Sequence, residues 1–345
     1  MNKLFYKTNL EKIVPYIPGK PIEEVKREMG LKSAVKLASN ENPLGPSKCV
    51  LKAIETAAKG VNRYPDGGCF YLGNAVAGKL GVKRENIIFG NGSDEVIVFA
   101  TRAFLVSLDE VIIASPTFLV YNLASLLEGA IVKSVPIKNF KYDLDAMAGA
   151  VTAKTKIIFL ANPDNPTGSY ISKKELEKFI EKIPKGVILF IDEAYYEFAL
   201  GQDYPETLSL INREDKDIII ARTFSKAYGL AGLRIGYGLA RPELITILNK
   251  VREPFNVNSI AQGAAIAALE DTAYVKKSVK LVSEEKERYY KFFDSLKIEY
   301  IKSKTNFILF RAGRKSIEIY KTLLSKGVIT REMSHWGLEG FLRVT

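Results

Sequence analysis

The chain has 345 residues, 47% apolar and 26% charged, and its 50 Lys and Arg against 39 Asp and Glu leave a net charge of +11. That length suggests two domains, or one large domain with a smaller lobe, and the composition excludes the disordered and fibrous classes. A single His and two Cys weigh against a zinc-enzyme ligand set and a Ser-His-Asp apparatus. The basic excess favours anionic partners without choosing among nucleic acid, membrane surface and phosphorylated small molecules.

The N-terminus, Met-Asn-Lys-Leu-Phe, lacks a signal-type apolar region, and no run approaches the ~18 apolar residues of a membrane span. Cys49 and Cys69 form no CxxC motif, so the thiols read as reduced, the chain as cytoplasmic, and a metal site is not expected. Residues 1–36, with Pro15-Tyr16-Ile-Pro18-Gly19-Lys-Pro21, predict an arm and part of a small domain. From 37 to 257 the pattern is that of a large domain. Apolar runs at Asn86–Phe89, Val111–Ser115, Ile131–Pro136, Lys156–Ala161, Val187–Asp192 and Asp217–Arg222 predict strands. Most are apolar throughout, as in a parallel sheet covered on both faces. Between them, stretches such as Ser172–Ile183 carry helical spacing, and Ser172 with Glu175 fits a capping box. The economical result is α/β: right-handed βαβ units forming a mostly parallel sheet flanked by helices. After Asn258 come Ala-rich and then Lys/Glu-rich helix to about Leu296. Strands at Asn306–Phe310, Val328–Thr330 and Phe341–Val344, with a helix around Ser316–Lys326, predict a smaller α+β domain over 258–345. The chain stops at Thr345 in mid-strand, which predicts that a closing helix is missing from the sequence.

In an open α/β sheet, ligands bind outside the carboxyl ends of the strands, and four such ends carry chemistry. Gly90-Asn-Gly92-Ser93-Asp94-Glu95 is a glycine turn opening an apolar helix, suited to holding a phosphate on backbone N–H groups. Glu95 stands where a dinucleotide fingerprint has its third glycine, which leaves a phosphate cup or a plain helix cap. Asn162-Pro-Asp-Asn165-Pro166-Thr-Gly168 sets two prolines around an amide, pointing to a positioned donor rather than a structural Asx-turn. Asp192-Glu193-Ala-Tyr195 ends a buried strand with an acid that needs a partner. Either Asp192 caps the following helix, or it faces a protonated ring nitrogen with Tyr195 reaching the same ligand. Finally, Thr223-Phe-Ser225-Lys226 follows a strand, and small apolar neighbours would lower the amine's pKa and favour nucleophilic Lys226. Arg234, further along, is a fixed cation suited to phosphate. His335, in Ser-His-Trp-Gly, reads as a surface-loop histidine, with a substrate contact as the sharper alternative.

Together these ends offer an amine, a carboxylate, a phenol, an amide, a phosphate cup and an arginine, which is what pyridoxal phosphate requires of a protein. With motifs in this order the chain resembles the fold-type I, class II pyridoxal-phosphate aminotransferases, and among them the histidinol-phosphate aminotransferase family. The resemblance spans essentially the whole chain, through Pro15–Gly19, Ser39-Asn-Glu-Asn42-Pro-Leu-Gly45, Arg63-Tyr64-Pro-Asp-Gly67, Gly90–Asp94, Asn162–Gly168, Asp192–Tyr195, Ser225-Lys226 and Phe341-Leu-Arg343.

It implies transamination of L-histidinol phosphate with 2-oxoglutarate, giving imidazole acetol phosphate and L-glutamate, in histidine biosynthesis. By the resemblance, Lys226 joins the cofactor covalently and then moves the substrate proton, while Asp192 holds the pyridine nitrogen's proton. Tyr195 and Asn165 hydrogen-bond the ring oxygen. Phe118 stacks on the ring, with Tyr121 as runner-up. The phosphate sits among Gly92, Ser93, Asp94, Thr223, Ser225 and Arg234, with Tyr64 reaching in from the partner subunit of a homodimer. Arg343 and Arg331 hold the substrate's anionic ends, and Tyr16 and Asn42 match further pocket positions. Threonine-phosphate decarboxylase and aromatic amino-acid aminotransferase are alternatives on the same fold. A basic nucleic-acid-binding protein is the alternative from another class, but no aromatic-basic interleaving supports it. Two departures stand out: the absent final glycine turn and helix, and Gly73-Asn74, which weakens a predicted helix start.

Overall fold

The computed structural model of the chain describes residues 6–15, 19–201 and 203–345. Its first elements are α1 (Ile22–Met29), β1 (Val35–Lys36), α2 (Lys48–Ala58) and α3 (Phe70–Leu80). A run of alternating units follows: β2 (Ile87–Gly90), α4 (Ser93–Phe104), β3 (Glu110–Ser115), α5 (Leu119–Leu127), β4 (Ile131–Pro136), α6 (Leu144–Gly149), β5 (Thr155–Ala161), α7 (Lys173–Lys182), β6 (Ile188–Asp192), α8 (Tyr196–Ala199) and β7 (Asp217–Thr223). Then come β8 (Gly236–Leu239), α9 (Pro242–Val251), α10 (Ser259–Glu270), α11 (Thr272–Ser295), β9 (Ile308–Arg311), α12 (Ser316–Ser325), β10 (Val328–Ile329), β11 (Arg331–Glu332) and β12 (Phe341–Val344).

Seven strands form one sheet in the order β2-β8-β7-β6-β5-β3-β4. Strands β7, β6, β5, β3 and β4 run parallel, whereas β8 is antiparallel to both β2 and β7. The continuous apolar runs are explained by the period of two along a strand. Ile158, Leu160, Leu189, Ile191, Ile218 and Ile220 enter one core, while Ile157, Phe159, Ile188, Phe190 and Ile219 enter the other. Each such side chain stabilises the fold by about 1.5–3 kcal/mol through burial.

Strand β8 was not among the expected strands. Its sequence, Gly-Tyr-Gly-Leu, carries two glycines, which read as loop residues. They are there because α4 packs across the strand. A Cβ on Gly238 would lie 2.7 Å from Val96 Cγ1, and one on Gly236 would lie 2.4 Å from the Ser93 backbone nitrogen. Asn86, expected to begin β2, instead folds its side chain back to accept from the Lys83 N–H at 3.2 Å and donates to the Ala240 carbonyl at 2.8 Å. The capping box at α7 forms as expected: Ser172 N–H donates to Glu175 Oε2 at 2.8 Å, and Glu175 N–H to Ser172 Oγ at 3.4 Å. Helix α3 also begins firmly, because Asp66 accepts from the N–H groups of Gly68 at 2.8 Å and Phe70 at 2.7 Å. Gly73 lies inside that helix, and its missing Cβ leaves room for the Arg84 side chain, whose Nη1 donates to the Ile87 carbonyl at 2.9 Å.

The remaining strands lie apart from the large sheet. β1 pairs in parallel with β10, and β11, β12 and β9 make an antiparallel sheet in that order. The expected Val328–Thr330 run is therefore split, with Thr330 as the residue between two strands of different sheets. Among the described residues no helix is long and apolar enough to cross a membrane, and no group of three His, Cys, Asp or Glu is placed to hold a metal ion.

Candidate active site

A cavity of about 360 Å³ opens at the carboxyl ends of the parallel strands, and Ser93, Asp94, Phe118, Asn165, Asp192, Tyr195, Thr223, Ser225, Lys226, Arg234, Arg331 and Arg343 line it. Residues from four separate strand ends thus meet in one place, because parallel strands all end on the same edge.

Asp192 is the last residue of β6 and is 4% exposed. Its Oδ2 accepts from Tyr121 Oη at 2.8 Å and its Oδ1 from the Ala194 N–H at 3.1 Å. Burial pushes its carboxyl up to about 7, and the Tyr121 hydrogen bond opposes that shift. Lys226, in the turn after β7, shows the complementary effect. Burial, aided by Arg343, pushes its ammonium down to about 8. Its Nζ lies 5.7 Å from the centre of the Tyr195 ring. The cavity therefore holds a carboxyl and an amine that each find the charged state costly when no ligand compensates them.

The adjoining Glu193 points elsewhere. It is wholly buried, accepts from Arg222 Nε at 2.7 Å, and receives the hydroxyls of Tyr204 at 3.1 Å and Thr207 at 2.8 Å.

At the start of α4, Gly92 takes φ 84°, a left-handed conformation suited to glycine. A Cβ there would lie 2.6 Å from Arg234 Nη2. Arg234 is itself left-handed at φ 54° and reaches Asp94 Oδ2 at 3.3 Å. Thr223 Oγ1 donates to Ser225 Oγ at 3.0 Å and accepts from the Ser225 N–H at 3.1 Å, so both hydroxyls stand together at the cavity wall. The first helical turn, the arginine and this pair surround a place fitted to an anion.

Asp164 organises the loop that carries Asn165. It accepts from Thr117 Oγ1 at 2.9 Å, Tyr142 Oη at 2.8 Å and Thr167 Oγ1 at 2.8 Å. Asn162 acts as a staple instead of a site donor, exchanging hydrogen bonds with the backbone of Ile171 at 3.1 and 2.8 Å. Asn165 Oδ1 accepts from Arg343 Nη1, and Arg343 Nη2 donates to the Ala38 carbonyl at 2.8 Å.

A model of the family "Aminotransferase class I and II" matches residues 32–345. The chain belongs to the class I and II aminotransferases. A histidinol-phosphate aminotransferase from Moorella thermoacetica is 48% identical over 333 residues, covering 96% of this chain and 86% of the relative. One from Carboxydothermus hydrogenoformans is 45% identical over 337 residues, covering 97% and 93%. The crystal structure of histidinol-phosphate aminotransferase from Sinorhizobium meliloti in complex with pyridoxal-5'-phosphate matches with a TM-score of 0.90 at 30% identity, over 100% of this chain and 94% of that one.

Within this aminotransferase some expected site residues stand elsewhere. Asn42 does not line the cavity. Its amide donates to the carbonyls of Lys226 at 3.3 Å and Ala227 at 3.1 Å and to Ser278 Oγ at 2.8 Å, which braces the lysine's turn from behind. Asn40 lines the cavity instead, and the sequence offered no way to choose between the two amides of Asn-Glu-Asn. Tyr64 is 84% exposed, stacked on Phe255 at 4.9 Å, and does not line its own chain's cavity. Tyr16 lies outside the described residues. Trp336, not singled out from sequence, joins the wall beside Arg331. His335 is exposed and borders a neighbouring cavity of about 660 Å³.

Proposed function

We propose that this protein is a pyridoxal-phosphate-dependent transaminase that converts L-histidinol phosphate and 2-oxoglutarate to imidazole acetol phosphate and L-glutamate. The observation that carries the reading is the meeting, in one cavity, of a buried carboxyl at about 7, an amine at about 8 and two arginines, Arg331 and Arg343.

The residues present fit the cofactor. Asp192 has no cation against its carboxylate among the described residues, and a protonated pyridine nitrogen would supply one. The first turn of α4, with Gly92, Ser93 and Asp94, would hold the phosphate through backbone N–H groups, assisted by Thr223, Ser225 and Arg234. Phe118 would cover a ring face, and Tyr195 and Asn165 would hydrogen-bond the ring oxygen. When bound, pyridoxal phosphate supplies an electron sink for the pair left at the substrate's α-carbon.

Lys226 would hold the cofactor through its amine, and the same nitrogen would move the proton of the substrate's α-carbon. Its depressed pKa keeps a useful fraction of the amine neutral near physiological pH. Asp192 would hold the ring nitrogen's proton. Arg343 and Arg331 would orient the substrate by its anionic ends, as forked guanidinium groups do for carboxylate and phosphate. The same reading makes the protein a cytoplasmic homodimer, with exposed Tyr64 reaching the partner's phosphate site.

A side-by-side assay with histidinol phosphate, threonine phosphate and phenylalanine tests the assignment. Histidinol phosphate is expected to be the best amino donor. A preference for phenylalanine, or release of carbon dioxide from threonine phosphate, would replace the substrate while leaving the cofactor reading intact.

A further inference from the structure

Tyr195 Oη accepts a hydrogen bond from Asn40 Nδ2 at 2.7 Å. Asn40 is 2% exposed and takes φ 56°, a conformation that asparagine tolerates better than most residues. Each of its other polar groups is engaged. The backbone N–H donates to Thr345 Oγ1 at 3.1 Å, the carbonyl accepts from Asn306 Nδ2 at 3.0 Å, and Oδ1 accepts from Thr345 Oγ1 at 3.2 Å. These contacts orient the amide: the Thr345 hydroxyl hydrogen goes to Oδ1, leaving Nδ2 for the phenol.

A phenol has one hydrogen to donate. With Asn40 donating to Oη, that hydrogen must point elsewhere, and Tyr195 lines the cavity. We propose that Asn40 is a positioning residue that directs the Tyr195 hydroxyl hydrogen into the cavity, toward the ring oxygen of bound pyridoxal phosphate. The inference rests on the function proposed above. Asn40 acts only through Tyr195, which is otherwise faced by Arg343, Asp192 and Asp164, and by Lys226 with its Nζ 5.7 Å from the ring centre.

The test is a visible-absorbance pH titration of the pyridoxal-phosphate-loaded protein. A hydrogen bond donated to the anionic ring oxygen favours the deprotonated chromophore. Asn40→Gly removes the amide and keeps the positive φ without strain, so the titration midpoint should rise by about one unit. In a Tyr195→Phe background the same substitution should have less than about a third of that effect, because the two residues act as one unit. Should Asn40→Gly fail to fold, Asn40→Asp keeps the shape but accepts where the amide donates; its rise should be larger with Tyr195 present than in the Tyr195→Phe background. An unchanged midpoint in Asn40→Gly, or an equal shift in both backgrounds, would overturn the proposal. Wild-type protein that takes up no pyridoxal phosphate would overturn the proposed function, and this inference with it.

Discussion

Tyr121 Oη donates to Asp192 Oδ2 at 2.8 Å while the tyrosine ring stacks on Phe159 with centroids 4.8 Å apart. The ring belongs to the core and the hydroxyl to the site, so Tyr121→Phe separates the two contributions. It deletes a hydrogen bond to a charged group, worth about 1.5–3 kcal/mol, and leaves the packing. Pyridoxal phosphate should bind about tenfold more weakly or worse, with little change in the melting temperature of the unloaded protein. A fluorescence titration beside a thermal melt checks both.

The raised carboxyl of Asp192 gives a pH dependence of known sign. Its folded pKa of about 7 exceeds the ordinary 3.8. In the unloaded protein its contribution to stability is therefore complete at pH values below the ordinary one and is lost as pH rises through the folded value. A cation on the ring nitrogen favours the carboxylate instead. The gain in melting temperature on adding pyridoxal phosphate should thus be larger on the alkaline side of neutrality than on the acid side. Asp192→Asn should flatten that difference.

Lys226→Ala removes the only lysine that lines the cavity among the described residues. Turnover should fall to background while the circular dichroism spectrum stays that of the wild type. Borohydride treatment of loaded protein followed by peptide mass analysis should label Lys226 in the wild type and leave the variant unlabelled. Retained activity in the variant would remove the lysine from the mechanism.

Gly236 tests how tightly the anion site is built. A Cβ there meets backbone on three sides, at 2.4 Å from Ser93 N, 2.7 Å from Gly92 C and 2.9 Å from the Arg222 carbonyl. Gly236→Ala should lower stability by about 1–3 kcal/mol and weaken pyridoxal-phosphate binding, because the first turn of α4 must move away. Gly149→Ala, which meets nothing within 4 Å, is the comparison and should do neither. Denaturant unfolding and cofactor titration of both variants measure the contrast.

These contrasts show what the sequence could convey. The parallel strands were legible because burial on two faces makes them apolar at every position, as in Ile157 to Ala161. Strand ends were legible too, since Asp192 and Lys226 are costly residues to set after such runs. The antiparallel strand β8 was hidden because helix packing demanded glycines where β-forming residues would have announced a strand. Asn40 and not Asn42 lines the cavity, and Tyr121's reach to Asp192 rests on the closeness of two segments far apart in the chain. Such properties belong to tertiary structure and leave no local pattern.

The end of β6 carries two adjacent acids whose side chains have different fates. Glu193 meets Arg222 Nη2 at 2.7 Å with both side chains buried, so its charge is cancelled where it stands. Of these two acids only Asp192 lines the cavity. The ion pair works as partial insulation behind an electrode: it lessens, without erasing, the push that Glu193 gives the Asp192 carboxyl toward its protonated form. Substituting Glu193 with Gln would strip that insulation, expose the site to the Arg222 cation, and loosen the grip of Asp192 on a proton.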